Sequence, residues 1–535
     1  MSKFLRTSVV AIATAILSLL PAIQAQNRAP ARASTGAAGL ANLGEVDFEN
    51  SCGPAVKAEF NRGVALLHSF WEDEAFLAFQ RVASADPDCA IAYWGEAMTH
   101  FHQILAAMTP ADIAAGTAEL SRADRAQEKS PREAAYVRAL HGYFDGYRST
   151  DGLQHAVKYT EAMAVVAKTY PDDLEAQVFY ALSLLASDPP SDVELVNPQK
   201  AVTILEPLFR EHPNHPGIAH YLIHACDNPQ MAREGLDAAR HYAQVAPGAP
   251  HALHMPAHIF ARIGLWQEDI ASNVASKAAS EAAGLHRGAE SRLHAMEFLE
   301  YAYVQTGRFD EAKAIVAEAR TIQPSDVDPR YPAMYSSVES RYAALLAIET
   351  KDWATAARLE ALTNASRSGR ETTLLARAEA AGHLGDAKGA DETVRALNAL
   401  GAGEAPASGS ASAIETRAWA AFARGDLQEA TALLRPLADR QEKIGKGEVE
   451  IPAREMLAEM LLLSGRPKEA LGQYQQSLAS DPNRFNGLLG AGEAAERAGD
   501  TNAARGYYRA LVANSGQADG GAIRALQHAK ALASE

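Results

Sequence analysis

Aromatic residues are scarce in this chain: phenylalanine, tryptophan and tyrosine make up 7% of 535 residues, although 47% are hydrophobic. That balance points to many small interfaces rather than one large core. Basic residues are outnumbered, 50 Lys and Arg against 66 Asp and Glu, and the formal net charge is −16. Such a charge argues against a polyanion partner, whether nucleic acid or an anionic membrane surface. Beyond the N-terminal segment no apolar run approaches the ~20 residues that a spanning helix needs. A Walker-type glycine loop, HExxH, GxSxG and paired CxxC are also missing. These absences remove the common motif-bearing enzyme classes and leave only a composite site, assembled from successive helices. Cysteine is limited to Cys52, Cys89 and Cys226. In an oxidising compartment Cys52 with Cys89 is the natural disulfide, tying the N-terminal segment to the turn after the first helix pair. Cys226 is then left as a small buried core residue.

What is present begins with an export pattern. Lys3 and Arg6 precede an apolar stretch from Ser8 to Leu20, followed by Pro21 and the small residue Ala25. This reads as a signal peptide, residues 1–25, and places the mature chain in the periplasm or outside the cell with no membrane anchor. Losing Lys3 and Arg6 moves the formal charge from −16 to −18. Residues 26–44 read as a flexible leader, and 401–412 (GAGEAPASGSAS) as a linker or long loop.

Between these segments a phrase recurs: a small residue, a turn, then an acidic residue and alanine. Clear copies are Gly307–Ala312, Gly425–Ala430, Gly465–Ala470 and Gly499–Ala504. Weaker ones are Phe70–Ala75, Gly264–Asp269, Lys351–Ala356 and Gly385–Ala390. Gly465 to Gly499, Ala470 to Ala504 and Tyr474 to Tyr508 all keep an offset of 34, the tetratricopeptide period. In each unit one amphipathic helix ends at the glycine, a second begins at the acidic residue, and the alanine lets the two backbones approach. The expected fold is an all-α, right-handed α-solenoid of tetratricopeptide-like helix pairs, about eleven to thirteen of them. Its N-terminal array covers 45–400 and a shorter one covers 413–535.

Ten of the 17 histidines fall between His212 and His294, where an even spread would put about three. His220, His224 and Asp227 share one helix face, as do His251, His254 and His258, and His294 with Glu297. Counting back from the turn glycines Gly264 and Gly307 places these residues on first helices, which line the concave wall of such arrays. His220, His224, His254 and His258 are therefore the expected inner ligands of a metal. Asp227, His251, His294 and Glu297 are the expected remaining ligands or orienting partners. Exported location favours zinc or copper over iron or nickel, and Met255 leans toward copper. Pro256 must start or kink its helix, which leaves the direction of His251 open. A peptide- or acid-binding groove and plain structural hydrogen bonding are the competing uses. His68, His141, His155, His383 and His528 read as packed or solvent-facing, and His100 and His102 as rim residues.

The segment NRGVALLHSFWEDEAFLAFQRVASADPDCAIAYWGEAM, together with HPGIAHYLIHACDNP and APHALHMPAHIFARIGLWQEDIASN, resembles exported bacterial tetratricopeptide-repeat proteins as far as about Arg330. The resemblance implies an all-helical repeat fold outside the cytoplasm and carries no reaction with it. Together these readings describe an exported repeat protein that binds a protein or peptide partner in its groove and holds a metal-capable histidine cluster. The alternatives are a metal-dependent enzyme with Glu297 or Glu300 as base, and a metal store or chaperone.

Overall fold

The computed structural model describes residues 42–534 apart from 102–107, 149–150, 190, 328–333, 401–409 and 448. The expected signal peptide, most of the leader, His102 and most of the 401–412 linker lie outside these residues. The last residues of the expected leader are not loose. Leu43 is buried, and Gly44 packs against the Asn214 carbonyl, Val245 and Pro216. At the other break, Ser410 already caps the Ala411–Ala423 helix, accepting a hydrogen bond from the Ala413 N–H.

Among the described residues there is no strand, only an isolated bridge between Cys89 and Glu128. No described helix is long and apolar enough to cross a membrane. Counting Pro250–His254 and Pro256–Ile263 as one broken helix, the described helices form twelve consecutive pairs and a closing helix, Ala522–Ser534. Each helix packs on its neighbours in sequence, which makes the fold an α-solenoid of helical repeats.

The recurring phrase has one backbone form. Its first residue is left-handed in all eight copies: Gly264, Gly307, Gly385, Gly425, Gly465 and Gly499 have φ between +67° and +83°. Phe70 and Lys351 take the same turn at φ 50° and 56° despite their side chains. The crossing alanines Ala75, Ala312, Ala356, Ala390, Ala430 and Ala470 are fully buried. Cys52 and Cys89 form a disulfide across 37 residues of sequence, with Cα atoms 4.9 Å apart.

The solenoid coils tightly enough to touch itself. The first helix, Lys57–His68, meets Pro216–Cys226, and Leu285–Gln305 meets Phe485–Arg497. First helices of distant repeats therefore meet, and His220, His254 and His258 on them are buried. The apolar core forms two main bodies, one from Leu43 to Ile263 and one from Ala257 to Ala529. They meet on the Pro256–Ile263 helix, which gives Ile259, Phe260 and Ile263 to the first and Ala257 and Ala261 to the second. In the second body Arg484, 1% exposed, pairs with Glu349 (2.7 Å) and Glu455 (2.9 Å) and donates to the Tyr301 hydroxyl, binding the late repeats to the seventh and eighth pairs.

Gly264 does more than turn the chain. A Cβ there would collide with the Pro482 carbonyl oxygen, while one at Gly465, in the same turn of a later repeat, would meet nothing within 4 Å. Gly465→Ala should lose about 1 kcal/mol, the left-handed penalty alone, and Gly264→Ala roughly twice that or more. Equal losses in thermal unfolding of the two variants would refute the contact between the sixth pair and residue 482.

Candidate metal centre

The Pro216–Cys226 helix starts with proline at its first position, where the missing N–H does no harm. It sets His220 and His224 one turn apart. His220 is fully buried, its Nδ1–H donating to the His68 carbonyl at 2.6 Å, its ring stacked on Tyr242 and edge-on to Phe70. This leaves the Nε2 lone pair of His220 facing His224 Nε2 at 3.0 Å. His251 arrives from the next first helix with its ring 5.0 Å from that of His220, and its buried Nε2 has no hydrogen-bond partner. The three ligand atoms lie within 4.8 Å of one another. Pro256 does break its helix, and the break leaves His251 aimed at this trio.

His254, His258 and His294 form a second trio with the same spread. His258 Nδ1 donates to Asp227 Oδ2 at 2.9 Å, and Asp227 Oδ1 accepts from Arg262 Nε at 2.8 Å. His254 Nδ1 lies 2.7 Å from Asn273 Oδ1. The orientation of that amide is decided by its other end: Asn273 Nδ2 is 3.1 Å from the Asp269 carbonyl oxygen, which can only accept. Asn273 must turn its NH₂ there and its oxygen to His254, so His254 Nδ1 carries a proton. Both imidazoles thus have their protons on Nδ1. With both rings neutral their Nε2 atoms face each other at 3.0 Å as two lone pairs, a contact that a metal ion held by both rings, or a proton shared between them, would relieve.

Burial, followed by the charges of neighbouring imidazoles, holds the His224, His251 and His254 rings well below their ordinary pKa, and burial takes His220 down to about 3. These rings are therefore neutral at physiological pH. Burial by itself would raise the Asp227 carboxyl, but Arg262 and His258 outweigh it and hold the group below the usual carboxylate range.

The two trios are one pattern used twice. His220 to His254 and His224 to His258 are both steps of 34, and His251 to His294 is a step of 43, the same as Gly264 to Gly307. The sixth pair also departs from the repeat at its crossing. Asp269 stands where the other copies have alanine, and Asn273 stands where Phe79, Tyr474 and Tyr508 lie four residues later. Both are fully buried, and Asn273 Nδ2 donates to Asp269 Oδ1 at 2.7 Å. This substitution, readable by aligning the copies, supplies the hydrogen bond that orients His254. The sequence reading missed it.

Two carboxylates expected as ligands or orienting partners stand outside the trios. Asp227 meets His258 through Oδ2 and Arg262 through Oδ1. Glu297 pairs with Arg341 at 2.7 Å and stays 4.0 Å from His294 Nδ1. Met255 packs into the apolar core. His68 is more than a packed residue: it is fully buried, bonded through its ring to Glu175 and Tyr221, and its carbonyl positions His220. His215 belongs to that same network through Glu175, and His100 sits apart beside Asp112 and Phe76. His383 joins Glu379 and Glu459 in a separate group.

No family model matches the chain, and no curated protein does. Solved structures resemble it in part. The human IFIT1 dimer with m7Gppp-AAAA aligns over 83% of this chain and 90% of that one at 12% identity and a TM-score of 0.36. The APC/C hetero-tetramer Cut9–Hcn1 aligns over 89% and 90% at 12% identity and 0.32. The P58(IPK) TPR domain aligns over 90% and 98% at 14% identity and 0.21. At such scores the likenesses assign neither a ligand nor an activity to this chain.

Removing the Asp227 carboxylate takes from Arg262, 7% exposed, the charge that it meets at 2.8 Å. Asp227→Asn should therefore destabilise the chain by about 3–5 kcal/mol, seen as a lowered Tm. An unchanged Tm would mean that the pair is not buried as described.

Proposed function

We propose that this protein is an exported repeat-type binding protein whose two histidine trios each hold a transition-metal ion. The observation that carries the reading is the His254–His258 contact: two Nε2 atoms 3.0 Å apart, with each ring tied through its own Nδ1 to an acceptor. Metal-ligating histidines have that arrangement, the far nitrogen being tied to a carboxylate, amide or carbonyl. Imidazole-only ligand sets suit zinc or copper. The Cys52–Cys89 disulfide supports the exported location read from the N-terminal segment, since such bridges persist in oxidising compartments. The concave repeat surface is the proposed site for a protein or peptide partner.

The enzyme reading is favoured by one feature. Three protein ligands leave a coordination position open, and His224, His251 and His294 are only half-buried. The base once expected there is unsuitable. Glu297 is paired with Arg341, while burial, then Glu349 and Glu297, push the Glu300 carboxyl well above its usual range, so that it holds a proton.

Full-length protein should carry about two metal ions by elemental analysis, and a hundredfold excess of metal over Kd should stabilise the apo form by about 2.7 kcal/mol per site. His224→Ala with His258→Ala should abolish binding at both trios and leave the helical circular-dichroism signal intact. Absence of stoichiometric metal together with an unmoved Tm would sink the reading. The location has its own check: protein recovered from the exported fraction, denatured without reductant, should alkylate one thiol, Cys226. Three reactive thiols would count against an oxidising compartment.

A further inference from the structure

The two trios adjoin. His251 of the first and His254 of the second lie three residues apart on one broken helix, with ring centres 6.1 Å apart, and His224 and His258 are equally close. Six imidazole ligands bring no negative charge. Asp227 and Glu297, which meet trio residues, are already matched, Asp227 by Arg262 and Glu297 by Arg341. Two divalent ions would therefore place four positive charges against side chains that are 0% (His220), 1% (His254) and 5% (His258) exposed. A buried charge of that size needs a counter-charge. Each trio also supplies three donors where a tetrahedral ion takes four. The open edge is formed by His224, His251 and His294, the last with 36% of its side chain exposed, and Arg341 stands beside it through Glu297.

We infer that the paired centre takes a small oxyanion, carboxylate or phosphate, as a ligand shared between the two metal sites, with Arg341 guiding it at the rim. This rests on the metal reading above and adds the chemical class of what the centre binds. A ligand with two oxygens on one carbon or phosphorus matches two adjacent three-nitrogen ions, and it neutralises charge that the protein leaves unmatched. Neutral or cationic ligands would leave that charge in place.

The test uses full-length protein reconstituted with cobalt(II), whose visible bands report coordination. Inorganic phosphate and acetate should each shift the bands and saturate at one anion per two cobalt ions, with no effect on the apo protein. Arg341→Gln should weaken anion binding by roughly tenfold at unchanged cobalt content, and Arg341→Lys should restore part of it. Should Arg341→Gln lose its helical signal, the stoichiometry in the unaltered protein decides alone. Two cobalt ions with bands that neither anion moves would overturn the inference and leave the metal reading standing, as would saturation at one anion per cobalt. Failure of cobalt, zinc and copper alike to bind would remove both. A response to phosphate alone would assign a phosphoryl ligand, and one to acetate alone a carboxylate, each within the proposed class.

Discussion

Close approach of two helices at one small, buried side chain is the constraint on which this molecule depends. Ala75, Ala312, Ala356, Ala390, Ala430 and Ala470 occupy that crossing with no exposed surface. A left-handed residue before each of them reverses the chain, in glycine where available and in Phe70 and Lys351 where not. The low aromatic content follows from the same geometry: side chains at such crossings must be small, and stability accumulates over many modest interfaces.

Against that uniform background the sixth pair stands out. It carries Asp269 at the crossing and Asn273 in place of an apolar side chain, both fully buried. Burying two polar groups in place of apolar ones is unfavourable unless they are bonded; here Asp269 Oδ1, Asn273 and His254 are joined in one chain, while Asp269 Oδ2 stays buried without a partner. A repeat that gives up its packing residues to fix one imidazole tautomer marks the centre of the site. The seam between the two apolar bodies runs through the same broken helix, so the histidines sit where two packed units meet.

The charged interior of the second body works differently. Arg484 is almost fully buried among Glu349, Glu455 and Tyr301, on helices far apart in sequence. Every oxygen that approaches it comes from another repeat, so the network sets how the late repeats register on the earlier ones. Buried pairs of this kind contribute little net stability but penalise every arrangement that separates them.

By itself the sequence determined the repeat. A period of 34, a turn residue and a buried alanine are local features, and local features are written in consecutive residues. It also determined which helices bear histidine, because the i, i+4 spacing of His220 with His224 and of His254 with His258 is intrinsic to a helix. Only the tertiary structure decided how those rings divide. The superhelical coil carries the His68 carbonyl, 152 residues away, to His220, and packing between repeats sets His251 in the first trio and His294 in the second. It also pairs Asp227 with Arg262 and Glu297 with Arg341. Distances between repeats depend on how the whole array coils, and no single repeat encodes that.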